Sequence, residues 1–194
     1  MNLKGAVSML KSVFSGSPDS GERFIPGHPS RRIDDTAPLD FGGFYRFAAQ
    51  FVKGRSVLDI GCGCGYGPEF LSASGASVCV GMDSSVPAIS FAGKNYRAPG
   101  LRYTLGSAED LGGFGDGSFD VAVSIEVIEH LREPERHVAE ACRVTKDGGL
   151  LVLSTPNREM FPPGDRPANR FHVRELYYEE LRGLLDRHFK AVVI

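Results

Sequence analysis

Six short apolar segments recur between residues 56 and 194, and segments of helical length separate most of them. No other feature narrows the fold as far. Ser56–Ile60, Ser77–Met82, Leu101–Leu105, Phe119–Ile125, Leu150–Ser154 and Phe189–Ile194 read as strands. Phe119–Ile125 (FDVAVSI) is apolar nearly throughout, which suits a strand covered on both faces. Leu39–Lys53 reads as a helix with Phe44, Phe47, Ala48 and Phe51 on one face. Pro68 opens a second helix, where its missing N–H costs little. Val86, Ile89, Gly93 and Tyr96 mark a third helix face, and Pro134–Val144 forms a fourth with Val138 and Cys142 inward. Val173–Arg187 forms a fifth, with Tyr177, Leu181 and Leu184 inward. Alternating strands and helices predict an α/β, doubly wound, mostly parallel sheet in a three-layer αβα arrangement. Such sheets bind ligands beyond the carboxyl ends of their strands, where the strand order reverses.

The chain has 194 residues, enough to bury about 70% of its unfolded surface without disulfides or metals as staples. Its 42% hydrophobic and 24% charged residues exclude a disordered chain, a collagen-like fibre and a coiled coil. A net charge of -2 gives no bulk attraction to DNA or to a membrane surface. The sequence has no run of 18 apolar residues, so no spanning helix is expected. Leu3, Val7, Leu10 and Phe14 share one helical face, so residues 1–38 read as an N-terminal helix and a loop arm rich in Gly, Pro and Ser. Residues 39–194 form the main domain. Cys62, Cys64, Cys79 and Cys142 have no zinc-ribbon spacing, and free thiols and a cytoplasmic address are expected. The last strand ends the chain, so either the domain is truncated at its C-terminus or another element covers that edge.

The loop after the first strand reads Asp59-Ile60-Gly61-Cys62-Gly63-Cys64-Gly65-Tyr66-Gly67. Its glycines let backbone approach a ligand closely, and the next helix presents N–H groups there. A dinucleotide fingerprint fails on spacing: counted from Gly61 its last glycine falls on Tyr66, and counted from Gly63 on Pro68. Asp83 ends the second strand about 20 residues on, where a carboxylate can accept both hydroxyls of a ribose or cap the next helix.

Five motifs in order resemble the class I S-adenosylmethionine-dependent methyltransferases. They are VLDIGCGCGYG at 57–67, VGMDSS at 80–85, GSAEDL at 106–111, FDVAVSIEVIEHL at 119–131 and DGGLLVLSTPN at 147–157. The likeness runs from about Phe41 to the end, and is greatest to the subgroup holding the ubiquinone-biosynthesis O-methyltransferase and other small-molecule methyltransferases. It implies a Rossmann-like fold, here without the family's last antiparallel strand. It also implies S-adenosylmethionine as cofactor. Asp59, Gly61, Cys62 and Gly63 would border its methionine part, Asp83 and Ser84 its ribose, and Ala108 and Glu109 its adenine. A backbone N–H at Ala108 and Glu109 would read the ring edge, and Glu126 would lie near the sulfonium. Methyl transfer to an oxygen, or less readily a nitrogen, of a small molecule is the activity implied, with a glycan or quinone-type acceptor. No Asn-Pro-Pro-Tyr or Asp-Pro-Pro-Tyr follows the fourth strand, and no Pro-Cys, which argues against methylation of DNA bases.

Glu126-x-x-Glu129-His130 would place two carboxylates and an imidazole on one face of a helix. Three readings stand. Glu126, Glu129, His130 and His172 hold a divalent metal, as in similar relatives that include the small-RNA 2′-O-methyltransferases. Alternatively His130, with Glu129 beside it, is a general base for the acceptor. In the third reading, Glu129 and His130 only cap, pair or line the pocket. Arg158, Arg166, Arg170 and Arg174, with Phe161 and Phe171 between them, form either an anion-facing substrate wall or a solvated loop paired with Glu159, Asp165 and Glu175. Gly21–Gly27 is expected to fold over the cofactor. The rival functions are RNA 2′-O-methylation with a divalent metal, and cofactor binding without transfer.

Overall fold

A computed structural model describes residues 6–8, 41–160 and 171–194. The strands are β1 (Ala6–Ser8), β2 (Ser56–Ile60), β3 (Val78–Asp83), β4 (Leu101–Leu105), β5 (Phe119–Ile125), β6 (Thr145–Ser154) and β7 (Ala191–Val193). The helices are α1 (Phe41–Ala49), α2 (Tyr66–Ala73), α3 (Val86–Asn95), α4 (Pro134–Val144) and α5 (Tyr178–Asp186). Single 3₁₀ turns lie at Ile128–His130 and Arg158–Met160.

One seven-stranded sheet runs in the order β4-β3-β2-β5-β6-β1-β7, and every pairing is parallel. The order reverses between β2 and β5, so the carboxyl ends of β2, β3 and β5 frame a crevice. Strand periodicity divides the apolar residues between the two faces. Val57, Val121, Val123 and Val152 pack with Phe44, Tyr45, Ala48 and Leu71 from α1 and α2. Leu58, Ile60, Ala122, Leu151 and Leu153 pack on the other face with Val138, Ala141, Leu181 and Leu185 from α4 and α5. This is the expected αβα layering.

Several sequence expectations change in detail. An N-terminal helix was expected over 1–14. Instead Ala6–Ser8 is a strand inserted between β6 and β7, with Val7 opposite Leu151 and Val192. β1 thus fills a place in the sheet, and β7 gains a neighbour. Among the described residues no strand is antiparallel. The second helix starts at Tyr66 and takes Pro68 within its first turn. The last helix starts at Tyr178, not Val173, because Tyr177 and Glu180 close a capping box there. β6 begins at Thr145, before a register irregularity between Phe119 and Val121 of its partner. On α4 the inward face is His137, Val138, Ala141 and Val144, and Cys142 is only partly buried. No disulfide links Cys62, Cys64, Cys79 or Cys142. Among the described residues, no helix is long and apolar enough to cross a membrane. Gly21–Gly27 and Phe161–Arg170 lie outside the described residues.

Candidate active site

The crevice holds a cleft of about 320 Å³, within the range of about 300–1,000 Å³ common for small-molecule sites. Its wall starts at the glycine loop. At Gly61 a Cβ would stand 2.5 Å from Val127, so only glycine lets this loop pass the chain leaving β5. At Gly63 (φ +55°) nothing lies within 4 Å of a Cβ position, and the bare backbone faces the cleft. Asp83, at the end of β3, fastens this loop: its Oδ2 accepts from the Gly63 N–H at 2.9 Å and its Oδ1 from the Ser85 N–H at 2.8 Å. Ser85, not Asp83, caps α3.

Most of the expected cofactor residues meet on this wall: Gly61, Gly63, Asp83, Ser84, Ala108, Glu109 and Glu126. Asp59 and Cys62 do not. Asp59 is fully buried behind the loop, where it accepts from the Tyr45 hydroxyl at 2.9 Å. Its Oδ1 has no hydrogen-bond partner, and burial pushes its pKa up to about 8 despite the Tyr45 bond. The Cys62 sulfur points back against Gly81, and burial raises its thiol pKa. Tyr45, Cys64 and Tyr66 line the cleft unforeseen. Tyr45 follows Phe44 on α1 and reads in the sequence as one more core aromatic; its hydroxyl meets the strand acid Asp59 only in the fold.

Glu126 lies just past β5 with φ +54°, the one non-glycine residue with positive φ among those described. That conformation costs on the order of 1–2 kcal/mol and turns the chain into the cleft. Ser154 holds it there: its carbonyl accepts from the Glu126 N–H at 3.0 Å, and its hydroxyl donates to Glu126 Oε1 at 2.8 Å. The expected single helical face of Glu126, Glu129 and His130 is therefore absent. Only Ile128–His130 forms a turn, and Glu126 precedes it.

Glu129 is buried. Its Oε2 accepts from the Thr155 hydroxyl at 2.9 Å, while Oε1 lacks a hydrogen-bond partner and lies 3.9 Å from His130 Nε2. Burial, with Glu126 nearby, holds its carboxyl well above the usual range. His130 Nδ1 is 3.1 Å from the Phe171 carbonyl, so Nδ1 carries the proton and Nε2 faces Glu129. His172 Nδ1 sits 2.8 Å from Glu175 Oε1, and the two histidine rings meet edge to face at 4.9 Å. Ligand atoms of Glu129, His130 and His172 all lie within 4.8 Å of one another; Glu126 is outside that group. Two of the four arginines of the following loop are described. Arg158 bonds the Tyr177 hydroxyl and Arg174 bonds Glu180, rather than the expected Glu159 and Glu175.

His137 was not singled out in the sequence. It falls on the inward stripe of α4, where an apolar residue fits the spacing. Its ring joins Ser124 to the Ala108 carbonyl on the cleft wall.

The wall carries Asp83, Glu109 and Glu126 and, among the described residues, no Lys or Arg. That donor set suits a cationic, phosphate-free ligand and does not suit a dinucleotide. Open backbone at Gly63 leaves room for such a ligand against the loop. These features fit S-adenosylmethionine, a nucleoside bearing a positive sulfonium.

Sheet order and glycine loop together define a nucleoside-binding α/β domain of the methyltransferase type, and a model of the methyltransferase domain matches residues 58–153. The chain belongs to the class I S-adenosylmethionine-dependent methyltransferases. It is 37% identical over 178 residues to a "probable S-adenosylmethionine-dependent methyltransferase" of Mycolicibacterium smegmatis, covering 89% of this chain and 65% of that one. It is 39% identical over 147 residues to a ubiquinone biosynthesis O-methyltransferase of Thiobacillus denitrificans, covering 72% of this chain and 57% of the relative. The chain thus spans less than two thirds of these relatives' lengths. A solved S-adenosylmethionine-dependent methyltransferase from Mesorhizobium loti shares the fold, with a TM-score of 0.62 at 21% identity over 74% of this chain and 78% of that one.

Proposed function

We propose that this chain transfers a methyl group from S-adenosylmethionine to a hydroxyl oxygen of a small-molecule acceptor, of glycan or quinone type. The observation that carries the reading is His130, which lines the same cleft as Gly63 and Asp83 and has its Nδ1 tied back to a carbonyl. S-adenosylmethionine, when bound, supplies an electrophilic methyl on a sulfonium. Gly63 and Asp83 would hold it by the methionine and ribose parts, and Ala108 and Glu109 by the adenine. Glu126 would place a carboxylate near the positive sulfur. His130 Nε2 would take the acceptor's hydroxyl proton, the methyl passing to that oxygen as its bond to sulfur breaks and S-adenosylhomocysteine is left. Most of the acceleration comes from holding nucleophile and methyl in line.

A second reading is favoured by the Glu129, His130 and His172 group. A divalent cation there would lower the pKa of an acceptor hydroxyl. The buried, unpartnered Glu129 Oε1 and the carboxylate behind His172 resemble the support shells of metal sites. RNA 2′-O-methylation, the rival that shares this metal, needs basic phosphate contacts that the described wall does not offer.

The test is transfer of labelled methyl to a catechol probe and to short glycans, with and without EDTA. His130→Ala should lower turnover about 100-fold or more, with S-adenosylhomocysteine affinity within about threefold of wild type. Unchanged turnover removes His130 as the proton acceptor. Activity lost to EDTA and restored by magnesium or manganese supports the metal, and EDTA-insensitive activity eliminates it. Cofactor binding with no transfer to any acceptor supports a non-catalytic relative.

A further inference from the structure

We propose that His137 is a positioning residue: it fixes the Ala108–Glu109 peptide so that the Ala108 N–H meets the edge of an adenine ring. The proposal rests on the cofactor reading above and adds a residue that the cofactor never touches.

His137 is fully buried on α4, and its ring spans two elements. Nδ1 lies 2.9 Å from the Ala108 carbonyl, and Nε2 lies 3.0 Å from Ser124 Oγ on β5. A carbonyl only accepts, so Nδ1 carries the proton. Nε2 then accepts from the Ser124 hydroxyl, and one neutral tautomer satisfies every polar atom. Burial lowers the ring's pKa, which keeps that tautomer at neutral pH. A polar ring in this core would be costly without both partners.

The Ala108–Glu109 peptide is held from both sides. Its carbonyl accepts from His137, and its N–H donates to Ser107 Oγ at 3.2 Å. Glu109 is tied further, its Oε1 accepting from the Glu133 N–H at 2.7 Å. The Ala108 N–H donates to no described residue, and Ala108 lines the cleft. This donor on the cleft wall is therefore held in place through the carbonyl of its own residue, which His137 anchors. Such a donor suits an adenine ring nitrogen, which accepts. That nitrogen is taken to be N1, which accepts in adenine but carries a hydrogen in inosine, so an inosine ligand would set a donor against this donor.

The test compares binding of S-adenosylhomocysteine and S-inosylhomocysteine to the 194-residue chain by calorimetry, with thermal melts to check folding. Wild type should prefer the adenosine ligand about tenfold or more. His137→Leu should narrow that preference about fivefold, because the Ala108 carbonyl loses its donor. His137→Asn, which can still donate to that carbonyl, should keep it within about twofold. An unchanged preference in His137→Leu, or equal weakening of both ligands, would overturn the proposal and leave His137 a core residue. Should His137→Leu not fold, His137→Phe decides: it keeps a ring there but removes the donor to the Ala108 carbonyl, so it should narrow the preference, and an unchanged preference overturns the role. A wild type that binds both ligands equally contradicts the adenine reading itself. A wild type that discriminates, with variants that discriminate equally well, contradicts only His137.

Discussion

The Gly63 N–H donates to Asp83 Oδ2, beside the Gly61 and Cys62 N–H groups that donate to the Met82 carbonyl, and together they join the glycine loop to the end of β3. At φ +55° with open space ahead, Gly63 has two reasons to be glycine. Gly63→Ala should cost about 1–2 kcal/mol of stability from the left-handed backbone. It should also abolish S-adenosylhomocysteine binding, since the new methyl occupies the cleft; retained affinity would show that the ligand lies elsewhere. Asp59 makes a separate prediction. Its folded pKa of about 8 lies above the ordinary 3.8, so the folded chain binds a proton that the unfolded chain has lost. Its contribution to stability is full below about pH 4 and falls as pH rises toward 8. Asp59→Asn should therefore raise the melting temperature relative to wild type, by more at pH 9 than at pH 5. A difference that does not change with pH would mean that Asp59 ionises normally in the fold. The sequence placed an acid at this point but not its surroundings. Burial under Tyr45 comes from α1, distant in sequence, and spacing within the motif carries no trace of it.

Elements were legible where a local pattern decided them. β5 showed itself as an unbroken apolar run, and α4 as an amphipathic stripe opened by Pro134. They were illegible where tertiary partners decided. Leu3, Val7, Leu10 and Phe14 suit a helix, yet Ala6–Ser8 takes strand pairing from β6 and β7, a choice made by the sheet rather than by propensity. Glu126, Glu129 and His130 have helical spacing, but the left-handed backbone at Glu126, fixed by Ser154, breaks the face. His137 escaped notice because one polar residue on an apolar stripe shows its partners only once β5 and the 106–111 loop are in place. β1 gives a prediction at this scale. Val7→Pro removes a ladder donor between two neighbours and should lower the melting temperature by several degrees. S-adenosylhomocysteine affinity should be unaffected, because the cleft is framed by β2, β3 and β5. An unchanged melting temperature would show that β1 contributes little to the sheet.

At the scale of the whole molecule, two cores on opposite faces hold a parallel sheet whose order reverses at β2 and β5. That reversal opens the crevice, the glycine loop floors it, and three carboxylates give it a sign. The fold class and most of the wall followed from five ordered motifs. The sequence offered Glu129, His130 and His172 as one group, with Glu126 beside them, and the fold brings the first three together. The contacts that do so were not legible, because Phe171–Arg174 returns from far along the chain, its Val173 and Arg174 N–H groups both donating to the Glu129 carbonyl. The central claim is that this cleft binds the adenosyl cofactor through Asp83. Calorimetric titration of the chain with S-adenosylhomocysteine, beside Asp83→Ala, tests it most directly. The account predicts micromolar binding by wild type and loss of at least tenfold, about 1.4 kcal/mol, in a variant that still folds. No binding by folded wild type, or equal binding by both proteins, would contradict it.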